Sequence, residues 1–231
     1  MSGKVYSLIN KTANKLSLGQ KIRNRRKIIE KFANQVGLVY FGFVDQNKDE
    51  HKVVRGLTVS SVHKDNHYCV GSVDGYNVAI VDRTDYIWQP DGTKALHNWI
   101  ILTFDLNSKR PIPHFFIGAR NRDLKPFSSL FSSFPNMHKV DLGTFETYDI
   151  DFTSRFSIYA RTAKFIDIEK IIPSKTARVL GAHFWPYSIE QHENILYVYS
   201  ANENTSFDSL NTMLKNGLWF ASYLDSLKET K

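Results

Sequence analysis

Apolar positions recur every three or four residues near both ends of the chain and closer to every second residue across most of its middle. Near the N-terminus, Leu18, Ile22, Ile29, Phe32, Ala33 and Val36 fall on one side of a helical projection. Arg23, Lys27, Glu30 and Lys31 fall on the other side, and Arg25 and Arg26 sit at the edges of the apolar stripe. Ser17 followed by Gln20 matches a capping box at the start of this helix. Gly37 suits the left-handed position that ends it.

From Leu38 to about Ile117 the pattern is one of short strands with turn punctuation. Leu38 to Val44, Val53 to Val62, His67 to Val73, Tyr76 to Val81, Asn98 to Leu106 and His114 to Ala119 are the predicted strands. Lys64-Asp65-Asn66 reads as a turn, and Asp74-Gly75 as a tight hairpin turn. Little helix separates these strands, so they are expected to pair antiparallel. The segment 120–150 carries Phe127, Leu130, Phe131 and Phe134 at spacings that suit a short helix or a packed loop.

The C-terminal third is more regular. Arg155 to Ala160 reads as a strand, Ala163 to Ile171 as a helix, and Pro173 opens a second helix. Tyr187 to His192 and Ile195 to Ser200 form a hairpin around Glu193-Asn194. Thr205 or Ser206 then caps a last helix facing inward with Phe207, Leu210, Leu214, Gly217, Leu218, Ala221 and Leu224. The pattern predicts an α+β fold: a mainly antiparallel sheet with helices on one face, plus an N-terminal amphipathic helix.

Charge divides the chain in a way that hydrophobicity does not. The 231 residues carry a formal charge of +7. Residues 1–36 hold nine basic side chains and one acid, which leaves 21 basic and 22 acidic side chains in the remainder. The expected organisation is a basic N-terminal helical arm over 1–36 and a single, nearly neutral domain over 37–231. Lys21, Arg23, Arg25, Arg26, Lys27 and Lys31 are the candidate anion- or partner-binding residues. Three readings of the arm stand open: a helix packed on its own domain with a basic face in water, a basic amphipathic helix on an anionic membrane, and a nucleic-acid-binding arm. No aromatics interleave with the cluster, which argues against base stacking.

Other chemistry is sparse. His63, His67 and Cys69 are weak metal-ligand candidates without an evident fourth ligand. The pair Asp149/Asp151 and the acids Asp82 and Asp85 read as solvated carboxylates flanking strands. Phe184, Trp185 and Tyr187, around Pro186, form the densest aromatic group and a candidate docking patch. Phosphate loops, nucleophile elbows and zinc-protease motifs are missing, and no cofactor is implied. A lone cysteine cannot form an internal disulfide. No run of about 18 apolar residues or signal-peptide pattern occurs, so a cytoplasmic protein is expected, associated with a membrane at most peripherally.

Several segments resemble an uncharacterised bacterial family, a domain of unknown function often tethered to membranes. They are Gly71-Ser72-Val73-Asp74-Gly75-Tyr76, Asp82 to Tyr86, Phe152, and Arg155-Phe156-Ser157-Ile158-Tyr159-Ala160. A helix ending at Ile171-Ile172-Pro173, a second helix, the Ile189–Tyr199 hairpin and the terminal helix continue the likeness, over about residues 70–228. The basic arm stands where other members often place membrane helices. The resemblance implies a scaffold working near a membrane and carries no activity over to named residues. The leading expectation is a non-enzymatic binding or adaptor domain that engages an anionic membrane surface or a protein partner through the arm. The alternatives are a hydrolase-type enzyme with an unfamiliar site and a nucleic-acid-binding protein. Oligomeric state is not legible.

Overall fold

The computed structural model describes residues 23–43, 63–88, 92–108, 111–120, 136–143, 147–201, 203 and 205–227. The proposed Ser17 cap, Lys21, the strand Val53 to Val62 and the Phe127–Phe134 segment lie outside these residues. Helix α1 covers residues 23–36 and turns at Gly37, whose φ of +81° is the left-handed conformation expected there. The strands and helices that follow are β1 (Val39–Gly42), β2 (His63–Val73), β3 (Tyr76–Trp88), β4 (Lys94–Asp105), β5 (Phe115–Ala119), β6 (Met137–Lys139) and α2 (Ile150–Arg155). The remainder are β7 (Phe156–Arg161), α3 (Phe165–Ile171), α4 (Ser174–His183), β8 (Ser188–His192), β9 (Ile195–Ala201) and α5 (Phe207–Ser226).

Among the described residues nine strands join one sheet in the order β1-β2-β3-β4-β9-β8-β5-β7-β6, with every neighbouring pair antiparallel. The architecture is the expected α+β fold. Register explains how the faces differ. Ile80 pairs with Leu102, and Leu102 with Val198, so these side chains share a face. They form one core with Ile29, Phe32 and Ala33 of α1, with Ile168 and Leu180 of α3 and α4, and with Leu210, Phe220 and Leu224 of α5. The opposite face buries a second cluster of Val81, Trp99, Ile101, Phe116, Met137, Tyr197 and Tyr199, all from strands.

Three sequence expectations change. Lys64-Asp65-Asn66 is not a turn: it lies inside β2, paired with Thr84, Arg83 and Asp82. The register slips between Asn66 and Cys69, where His67 adopts a φ of 53°. Strand β3 continues to Trp88 instead of stopping at Val81, which takes Asp82 and Asp85 into the sheet, where both are buried. Asp149 and Asp151 are solvent-accessible as expected, but Asp149 stands at the start of a helix and not beside a strand. It caps α2, its Oδ1 accepting from the Asp151 N–H at 2.8 Å.

The last helix starts as the sequence indicates. Ser206 Oγ accepts from the Ser209 N–H at 3.0 Å, and Ser209 Oγ from the Ser206 N–H at 2.8 Å. Its far end is tied to the sheet by Asp225, which accepts from Tyr76 Oη at 2.9 Å and from the Ser108 N–H at 2.8 Å.

Candidate functional site

Two regions gather ionisable side chains: the α1 surface and the sheet face opposite the helices. On α1, Ile29, Phe32 and Ala33 are fully buried, so the stripe read from sequence is a core stripe. The residues at its edges are held by the domain. Arg25 Nη1 meets the Asp82 carboxylate at 2.9 Å, an ion pair between α1 and β3. Arg26 Nε donates to Glu30 Oε1 at 2.9 Å, one turn on, and its guanidinium lies 5.9 Å from the centre of the Tyr40 ring on β1. Lys31 Nζ lies 5.6 Å from the centre of the Phe207 ring at the start of α5. Arg23, Arg26, Lys27 and Lys31 are exposed. The described helix therefore spends Arg25 on the core and keeps four cations at the surface.

The metal candidates are not assembled. Cys69 points into the helix-side core with Ile80, and burial pushes its thiol up to about 12. His63 faces the opposite side, in register with Asp85. His67 sits in the bulge with Nδ1 2.8 Å from Tyr40 Oη, and burial lowers its pKa against the pull of Asp82. Among the described residues no three His, Cys, Asp or Glu side chains converge as a metal would require. The aromatic group is divided too. Phe184 and Tyr187 are core residues, Phe184 packing edge-on to Phe220 and Trp219, while Trp185 is about half exposed, at 49%.

The second region joins charged residues that lie far apart in the sequence. Asp65 and Arg83 face each other across β2 and β3, with both carboxylate oxygens accepting from Nε and Nη2 at 2.7 Å. Burial works against the Arg83 charge, but the bonds and charge of Asp65, helped by Asp85 and Tyr199, outweigh it and raise its pKa. Along the same face, Glu190 divides its oxygens: Oε2 accepts from Tyr199 Oη at 2.6 Å, and Oε1 lies 2.7 Å from His114 Nε2. The His114 ring in turn contacts His192, with centroids 4.4 Å apart. Both carboxylates are buried, and both oxygens of each are committed to partners. This geometry fixes strands in register and presents neither group to solvent as a base. The signal in the sequence is the charged run Asp82-Arg83 within an apolar strand, which a strand ending at Val81 conceals.

No family model matches the chain, and no curated protein matches it. Among solved structures, it is similar to the crystal structure of the mycobacterial trehalose monomycolate transport factor A, TtfA. The TM-score is 0.61 at 11% identity, over 90% of this chain and 99% of that one. At that identity the likeness is one of fold. No described helix is long and apolar enough to cross a membrane.

Proposed function

We propose that the chain is a non-enzymatic binding or adaptor module that works at an anionic membrane surface through the outer face of α1. The observation that carries this reading is the division of labour on that helix. Its inner stripe is locked into the core, while Arg23, Arg26, Lys27 and Lys31 remain exposed with Glu30 as the single acid among them. A rigid helix with surplus positive charge attracts anionic headgroups at about 1 kcal/mol per cation near the surface. A fold like that of a protein described as a transport factor supports binding over catalysis. The resemblance of residues 70–228 to membrane-tethered domains points the same way. A nucleic-acid reading gains less. Arg120, beyond β5, lies four strand spacings from β3, roughly 19 Å along the sheet, so it does not extend the α1 patch.

The test is co-sedimentation of the full chain with phosphatidylcholine vesicles, with and without phosphatidylserine. Binding should require phosphatidylserine, fall steeply with salt, and drop by more than about tenfold in R23E/K27E/K31E. Equal binding to both vesicle types would remove the reading.

A further inference from the structure

Four helices pack on one side of the sheet: α1, α3, α4 and α5 all contribute to the core that also holds Ile80, Leu102 and Val198. The buried stripe of each helix faces that core, so its exposed side chains face away from the sheet. To the four exposed cations of α1, the other three helices add Lys170, Lys175, Arg178 and Lys215, all exposed. The one exposed acid on these four helices is Asp208, at the start of α5. Their half-buried acids are engaged: Glu30 with Arg26, Asp167 with Lys164 at 3.0 Å, and Asp225 with Tyr76. Arg178 Nε lies 3.6 Å from Asp149, yet 74% of its side chain stays exposed. Helix α2 adds a balanced pair, Asp151 and Arg155, 3.4 Å apart. The surplus positive charge therefore belongs to the helix layer and not to α1 alone.

Two tryptophans interrupt this basic layer. Trp219 lies on the outward face of α5 and keeps 38% of its surface exposed. Its neighbours on that face are Asp208, Thr212, Lys215 and Ser222, all exposed, so the indole sits on the polar side of the helix. Trp185, half exposed, follows the C-terminal end of α4. The two stand at one junction. Asn216 Nδ2 of α5 donates to the His183 carbonyl at the end of α4 at 2.8 Å, and the Phe184 ring packs edge-on to Trp219 at 5.8 Å.

We propose that the helix layer as a whole is the membrane-facing side of the protein: Trp185 and Trp219 settle at the headgroup level of an anionic bilayer, and Lys175, Arg178 and Lys215 join α1 in holding the headgroups. This rests on the reading of α1 given above and adds the rest of the contact surface with its apolar anchors. The cations are spread over four helices, which suits a plane of anionic headgroups and not the single groove that tracks a nucleic-acid backbone. Tryptophan is the side chain suited to that boundary, with an apolar ring that leaves water and an N–H that stays wet. A second copy seated on the same face would set eight exposed cations against eight.

The experiment uses the full chain with phosphatidylcholine vesicles, with and without phosphatidylserine, and reads affinity and indole fluorescence. It compares wild type with W185S/W219S, W185F/W219F, K175E/K215E and R23E/K27E/K31E. Wild-type emission should shift to the blue on the anionic vesicles and be quenched by brominated acyl chains. The phenylalanine pair should bind within about threefold of wild type and lose most of that shift, which separates lost anchoring from lost folding. The serine pair should lose about tenfold or more in affinity, since it removes both apolar anchors. K175E/K215E, which leaves α1 intact, should lose about fivefold or more. If W185S/W219S and K175E/K215E bind as wild type does while R23E/K27E/K31E does not, the wider surface is wrong and the reading of α1 stands. A blue shift retained in W185F/W219F would also overturn the proposal. If wild type shows no preference for phosphatidylserine, both readings fall. Tighter binding to a DNA oligonucleotide than to the anionic vesicles, weakened by K175E/K215E, would make this a nucleic-acid surface and overturn the proposal.

Discussion

On its helix side the sheet buries Ile80, Leu102, Ile189 and Val198. An odd number of residues along the same strands, the other side buries Arg83, Trp99, Glu190 and Tyr199. The same backbone therefore supports two kinds of interior. The helix side is held by apolar area, which is non-directional and tolerates exchange among side chains of similar volume. The far side is held by paired charges and oriented rings: Arg83 on Asp65, Tyr199 on Glu190, Trp99 edge-on to Tyr199. Such pairs contribute little net energy when intact, but leave a buried charge behind when one partner is lost. Register here is set by polarity on one face and by volume on the other.

The largest effect should follow from breaking the charge pair. Arg83→Met leaves Asp65 buried without its guanidinium and should cost about 3–5 kcal/mol in urea unfolding. Adding Asp65→Leu should recover part of that loss and not all of it, because Asp85 remains buried nearby. A double variant as unstable as the single one would mean that volume, not charge, governs this face. A smaller cost is expected on the helix side. A Cβ at Gly217 of α5 would come within 2.2 Å of the ring of Phe104, which is fully buried. Gly217→Ala should therefore cost about 1–3 kcal/mol through overpacking, despite its better helix propensity. Ser206→Ala, which removes the α5 cap, should cost about 1 kcal/mol. Thermal or urea unfolding of each variant checks the order.

What was legible in the sequence follows the same division. The α5 stripe, the hairpin around Glu193-Asn194 and the buried face of α1 are local patterns, and periodicity found them. The local pattern places Asp65 in a turn and Asp82 and Asp85 in water, because a charged residue is ordinarily exposed. What makes Asp65 tolerable inside β2 is Arg83, 18 positions away, and no window of a few residues contains both. Arg25 is the intermediate case. Its edge position on the α1 stripe was visible, but its partner Asp82, 57 positions on, was not. Phe184 and Tyr187 stand out in the sequence by aromatic density alone, and tertiary packing against α5 buries them.

The smallest expected effect discriminates the two faces by pH. His97 lies on the far side, opposite Asp85 in register and stacked on Trp99 at 5.9 Å. Its Nε2 is buried without a hydrogen-bond partner, and burial lowers its pKa. His67, on the β2 bulge, is lowered by burial as well, but Asp82 pulls it back. A histidine lowered in the folded state resists protonation there while the unfolded chain accepts the proton, so the unfolded state binds more protons as pH falls. Stability from this source is complete above the unfolded value of about 6.5 and declines below it. The melting temperature should fall between about pH 7.5 and about pH 5.5. His97→Gln should flatten that decline more than His67→Gln, because burial acts alone on His97 while at His67 Asp82 opposes it. The reverse order would place the pH-sensitive interior on the helix side, at the β2 bulge beneath α1, and would make the contact between α1 and β3 the weaker of the two polar attachments in the fold.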